Sequence, residues 1–126
     1  MQTVYVQVVS APTGSGKTVV MELAILRMVR KYIQADGSFN HEPGTTKAIY
    51  IAPSKALIQE RVADWSRRFS CIGLNVVECT GDTQSANEAY NLQQADIIAL
   101  TPYALLANSN CDVSSEYHSL AGLNEC

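Results

Sequence analysis

Ala11-Pro12-Thr13-Gly14-Ser15-Gly16-Lys17-Thr18 is the stretch on which the reading of this chain turns. Glycine reaches backbone conformations closed to other residues and lets the main chain approach a ligand closely. A glycine loop that opens into a helix offers free N–H groups and the positive end of the helix dipole to an anion. Lys17 adds a charge able to reach the outer phosphates of a nucleotide, and the Thr18 hydroxyl is placed to ligate Mg²⁺. The pattern GxxxxGK[ST] is missed at one place, where Ala11 stands for glycine. The flanking segments restore the context such a loop needs. Val4-Tyr5-Val6-Gln7-Val8-Val9 reads as a buried strand before it, and a helical pattern follows it. The alternative, a chance glycine turn before a helix, leaves that context unexplained. The ligand expected on all eight residues is ATP with Mg²⁺.

Outward from the loop, the helical spacing runs from Lys17 to about Ile33, with Arg27, Arg30, Lys31 and Gln34 on one polar face. The rest of that surface is apolar, so the helix is expected to be largely covered. Residues 35–46 are polar and rich in turn formers and read as a surface loop. Lys47 to Ala52 is a second strand, stopped by Pro53. Ser54 then suits a helix cap, and Ile58, Val62, Trp65 and Phe69 form a helical apolar stripe with Asp64 and Arg68 paired on the opposite face. Leu74 to Cys79 is a third strand. Ser85-Ala86-Asn87-Glu88 has capping-box spacing and starts a short helix to about Gln94. Asp96 to Leu100 is a fourth strand, followed by Thr101-Pro102. The order β-α-β-α-β-α-β predicts an α/β fold, a parallel sheet with helices on both faces. Residues 107–126 carry no persistent period and are expected to form a weakly structured tail behind a lobe of residues 1–106.

The 126 residues form one domain at most, with 47% hydrophobic and 17% charged residues and a net charge of -3. Nucleic-acid contact must then come from local donors rather than an overall basic surface. The longest apolar run, Val19 to Val29, is broken by Glu22 and Arg27 and cannot span a membrane. The start of the chain lacks the pattern of a signal peptide, so a soluble intracellular protein is expected. Cys71, Cys79, Cys111 and Cys126 have neither zinc-site nor dithiol spacing, and Cys71 and Cys79 are expected as small buried hydrophobes. His41 and His118 have no partner at useful spacing and are expected to face solvent. Trp65 belongs to the core stripe rather than to a base-stacking surface.

The series as a whole resembles a known family. The phosphate loop followed by Val19-Val20-Met21-Glu22 is similar to motif I of DExH-box superfamily 2 helicases, and Ile49 to Leu57 resembles their motif Ia. Glu60-Arg61, Asp64-Trp65, Gly73-Leu74-Asn75, Thr80-Gly81-Asp82-Thr83, Ala95-Asp96-Ile97-Ile98 and Thr101-Pro102 continue it in order. The likeness is to the Ski-type subgroup and above all to its meiotic crossover helicase branch, which unwinds DNA. It covers roughly Val8 to Pro102 and implies a partial RecA-like lobe, ATP-dependent helicase function and a nuclear location. It further implies contacts with the nucleic-acid backbone at Ser54, Lys55, Gly81, Thr101 and Pro102, single-stranded DNA being favoured over RNA and binding being weak. Each of these residues also has a plain structural reading: cap, solvated charge, turn, strand stop.

Hydrolysis needs carboxylates that hold the Mg²⁺ shell and orient water. In the family these come from an Asp-Glu-x-His motif, and the sequence holds no Asp-Glu pair. The departure begins after Pro102, where Tyr103-Ala104-Leu105-Leu106 stands in place of Glu-Lys-Trp-Asp. No catalytic residue is therefore assigned, and the expectation is a helicase-lobe portion that binds nucleotide without turning it over. Two further readings stay open: a stand-alone ATP- or nucleic-acid-binding module, and a small P-loop kinase, which leaves the motif series after the loop unexplained.

Overall fold

Ala48, Tyr50 and Ala52 pack to one side of a strand whose Ile49 and Ile51 pack to the other, and this alternation organises the molecule. The structure is a computed structural model describing residues 10–12, 14–45, 47–79, 86–107 and 117–121. Four strands, β1 (Lys47–Ile51), β2 (Val76–Cys79), β3 (Ile97–Leu100) and β4 (Tyr117–Ala121), form one sheet in the order β2-β3-β1-β4. Every pairing is parallel. The helices are α1 (Lys17–Val29), α2 (Lys55–Phe69), α3 (Ala86–Gln94) and α4 (Pro102–Ala107). Residues of α1 and α2 join Ala48, Tyr50, Ile97 and Ala99 on one face. Leu92 of α3 and Ala104 of α4 join Ile98 and Leu100 on the other. Covered on both faces, Ile-Ile-Ala-Leu in β3 is buried at all four positions, as a central parallel strand should be. The architecture is the predicted one, a partial RecA-like α/β lobe. The strand expected over residues 4–9 lies outside the described residues.

The stripe on α2 sits as its spacing predicts. Ile58, Trp65 and Phe69 are buried and Val62 packs partly buried against them. Trp65 meets the Tyr50 ring edge-on, with centroids 5.1 Å apart. Its indole N–H, buried with it, needs an acceptor. Glu22 of α1 supplies one, 3.1 Å away, and the same carboxylate oxygen takes a bond from Arg68 Nη1 at 2.6 Å. One buried acid thus joins α1 to α2. Arg68 also reaches Asp64, the pair expected on the outer face.

The rest of α1 departs from expectation. Ile25 and Val29 enter the core, but Val19, Val20, Leu23 and Leu26 are exposed. The expectation of a largely covered helix fails because only one stripe of it meets the sheet among the described residues.

The 35–46 loop is anchored by a residue assigned to solvent in the sequence. The His41 side chain is only 2% exposed, with Nε2 2.6 Å from Oδ1 of the fully buried Asp96. Asp96 also accepts from the backbone N–H of Gly44 at 3.0 Å and of Asn75 at 2.9 Å. This carboxylate gathers the loop, the start of β3 and the approach to β2 at one edge of the sheet. Beside it, the Lys47 ammonium donates to the carbonyls of Leu92, Gln93 and Ala95, where a cation suits the C-terminal end of α3. Gly44 comes so close to that end that it has room for no side chain.

Two further corrections concern Cys71 and the tail. Cys79 is buried as expected, but Cys71 is exposed in the 3-10 turn that ends α2, where the chain has already left the core. Within the stretch expected to be weakly structured, Tyr117–Ala121 forms β4 and pairs with the free edge of β1, Ile49 opposite Ser119. An unpaired strand edge recruits whatever segment reaches it, with or without an apolar period. His118 lies in this strand.

Candidate functional site

The candidate phosphate loop enters α1 through two glycines in a backbone conformation that other residues rarely adopt. Gly14 has φ +80° and Gly16 φ +93°, and Gly16 is the residue that caps α1. Nothing lies within 4 Å of where a Cβ would stand on either, so glycine is required here by backbone conformation and not by crowding. Ser15 closes the turn, with both its N–H and its hydroxyl donating to the Pro12 carbonyl, at 3.2 and 2.5 Å. Among the described residues no side chain caps the helix start. The first N–H groups of α1 therefore keep no side-chain acceptor, beside Lys17 and Thr18, which are half-buried. Unsatisfied N–H donors, a lysine ammonium and a hydroxyl form a donor set that fits a phosphate chain with its divalent cation. Ala11 and Pro12 lead into the turn; Thr13 lies outside the described residues.

A second group of candidates sits at the carboxyl ends of β1 and β3. These strands are neighbours, with Ile51 opposite Leu100, and Ala52 N–H donates to the Leu100 carbonyl. Ser54 follows β1, is extended at φ -127°, and its Oγ accepts from Leu57 N at the head of α2. Thr101 follows β3, and its Oγ1 accepts from Ala104 N at the head of α4, with Pro102 as the first helical residue. Two helix starts thus open side by side at one sheet edge, the side on which open α/β sheets bind ligands. Ser54, Lys55 and Pro102 are exposed, whereas Thr101 is only 9% exposed and works mainly as the cap. Gly81 lies outside the described residues. No hydrogen bond among the described residues joins this edge to the phosphate loop.

The sequence had missed α4. Its signal was present, since a threonine followed by proline is an N-cap with the residue favoured at the first helical position. Missed too were Glu22 as the bridge between α1 and α2 and Asp96 as the anchor of the loop. No cluster of His, Cys, Asp or Glu among the described residues is arranged to hold a metal ion.

The family model described as DEAD/DEAH box helicase matches residues 3–122. The chain belongs to this family. Among curated relatives of this helicase segment, the ATP-dependent DNA helicase homolog MER3 of Arabidopsis thaliana is 50% identical over 111 residues, 86% of this chain and 9% of that protein. The MER3 homolog of Oryza sativa subsp. japonica is 48% identical over 98 residues, 75% of this chain and 8% of its own length. Activating signal cointegrator 1 complex subunit 3 of Gallus gallus is 48% identical over 93 residues, 73% of this chain and 4% of its own. The Ski-type resemblance, with its meiotic branch, is thereby borne out. The helicase chain spans less than a tenth of the length of these relatives. No helix among the described residues is long and apolar enough to cross a membrane.

Proposed function

We propose that this chain is the nucleotide-binding front of an ATP-dependent DNA helicase motor acting in meiotic recombination in the nucleus. The observation that carries the reading is the uncapped start of α1 behind two left-handed glycines, with Lys17 and Thr18 at its head. Ala11 to Thr18 would wrap the triphosphate. The N–H groups of the loop and helix start would donate to its oxygens, Lys17 would neutralise the outer phosphates, and the Thr18 hydroxyl would ligate Mg²⁺. Mg²⁺, when bound, draws charge from the phosphate oxygens and fixes their orientation.

Nucleic acid would lie along the other edge of the site. Ser54-Lys55 and Thr101-Pro102 head two helices whose N-terminal donors suit backbone phosphates, and such contacts position a strand without reading its sequence. Gly81 belongs to the same proposed track. Single-stranded DNA is favoured over RNA by the likeness to DNA helicases. With a net charge of -3 the contact is weak and salt-sensitive.

The test is a titration of the purified chain with a fluorescent ATP analogue and Mg²⁺, repeated on Lys17→Ala. Binding should weaken at least about tenfold, the loss of one charge-assisted contact. Equal affinity in parent and variant would remove the phosphate-loop assignment.

A further inference from the structure

A groove of about 480 Å³ lies between the C-terminal half of α1, the 33–39 turn and Ile72. Its apolar lining is Leu26, Val29, Ile33, Phe39 and Ile72, and Arg27 and Arg30 stand in the same wall. Leu26 is 41% and Ile33 54% exposed, so the apolar surface is open to a visitor. Neither arginine has an acidic partner among the described residues, in contrast to Arg61, Arg67 and Arg68, which are all paired. The groove therefore combines an uncovered aliphatic floor with two uncompensated guanidiniums.

The backbone of its outer wall is a narrow turn and offers a strand few groups to pair with. Ile33 and Phe39 bridge each other, Gln34 N–H donates to Ser38 O, and Asn40 N–H donates to Tyr32 O. At the bridge only Ile33 and Phe39 turn main-chain groups outward, and Ile33 N–H is taken by Arg30 O, so an added strand would find little to pair with and an incoming peptide must bind mainly through side chains. An apolar face that enters a groove, with opposite charges along its margin, is what an amphipathic helix presents. A nucleic-acid backbone would satisfy the arginines but leave the aliphatic floor wet.

We propose that this groove receives an acidic amphipathic helix of a partner protein, its apolar residues seated on Leu26 and Ile33 and its carboxylates on Arg27 and Arg30. The site is separate from the phosphate loop and does not depend on the nucleotide reading. The probe is a labelled synthetic helix of about four turns, with leucines along one face and glutamates beside them. Anisotropy is read against the 126-residue chain at low salt and at about 0.3 M salt, where charges on the surface are largely screened. Saturable binding that weakens with salt is expected. Ile33→Asp should weaken it roughly tenfold or more by spoiling the floor. The double change Arg27→Glu with Arg30→Glu should weaken it at least as much and invert the salt effect, because like charges would then face each other. All three substituted residues are surface positions, and unchanged melting temperatures confirm that the variants fold. Failure of the probe to saturate, equal affinity for Ile33→Asp, or tighter binding of a probe with lysine in place of glutamate overturns the proposal. So does displacement of the probe by single-stranded DNA with no effect of Ile33→Asp, which would make the site a phosphate surface.

Discussion

Replacing Gly44 with alanine should unsettle one edge of the sheet far more than the same change at Gly37. Both glycines have nearly the same backbone conformation, φ +80° and +82°. The strain of placing an L-residue there, about 1–2 kcal/mol, is common to both. The surroundings differ. A Cβ on Gly37 meets nothing within 4 Å, whereas one on Gly44 would stand 2.0 Å from the carbonyl oxygen of Gln93 and 3.1 Å from its carbon. Those are backbone atoms and cannot swing aside. Relief requires that the end of α3 or the Gly44 loop move by about an ångström, as carbon and oxygen atoms need roughly 3 Å or more between them. Either movement strains the Lys47 bonds to Leu92 and Gln93 or the Gly44 N–H bond to buried Asp96. Hydrogen bonds to charged groups are worth about 1.5–3 kcal/mol each, so the extra loss is about 2–4 kcal/mol. Urea denaturation of parent, Gly37→Ala and Gly44→Ala, followed by circular dichroism, isolates that difference because the conformational cost cancels. Equal midpoints for the two variants would refute the reasoning and show that the close approach of Gly44 to α3 is dispensable.

Other consequences can be read off the same structure. Glu22→Ala should destabilise the fold by about 2–4 kcal/mol in urea denaturation, since it strands the buried Trp65 indole N–H; Arg68→Ala, at a half-exposed position, should cost much less. Desolvation pushes the Asp64 carboxyl up, yet hydrogen bonds and charge from Arg68 and Arg67 prevail and hold it below 3.8. Because the folded value is the lower one, its contribution is present above the unfolded value and lost as pH falls through the folded one. Asp64→Asn should flatten the stability profile below about pH 4, and an unaltered acid limb would show that the pairs do nothing. The chain alone should release no phosphate from ATP above the level of Lys17→Ala, with or without single-stranded DNA. The Asp-Glu pair that would hold the Mg²⁺ shell and orient water is missing from the sequence. DNA-stimulated release that disappears in the variant would point to Asp82 as the carboxylate.

What the sequence made legible was local. Ser54 as a cap, the Ile58-Val62-Trp65-Phe69 stripe and the end of α3 at Gln94 all follow from spacings of a few residues, and the structure places them accordingly. The glycine turn that opens α1 was legible for the same reason, since its glycines, Lys17 and the helix start are contiguous. The polar contacts inside the fold were not. Asp96 meets His41 and Gly44 more than fifty positions away, and Glu22 meets Trp65 and Arg68 more than forty away. Neither pairing leaves a periodic trace, so His41 read as a loop residue and Glu22 as a break in an apolar run. β4 eluded the reading because its place depends on the edge of β1 and not on a pattern of its own. At the candidate site, the positions of Ser54 and Thr101 beside each other follow from β3 lying next to β1, a fact of topology that no single motif carries.

That same placement of β3 governs when the protein can take shape. β1 and β2 are not neighbours; among the described residues both pair with β3, which is made after them, and β1 pairs besides with β4, made later still. At about 5–20 residues per second, several seconds of synthesis separate the emergence of Ile51 from that of Ile97. By the end of that interval the nascent chain carries two β-prone segments, β1 and β2, whose partners among the described strands are still to be made. Local order in α2 can arise early, but the sheet must wait for its wedge. A growing chain of this kind is a natural client for chaperones, and one halted before Leu100 would be left with edges that pair most readily with those of other chains.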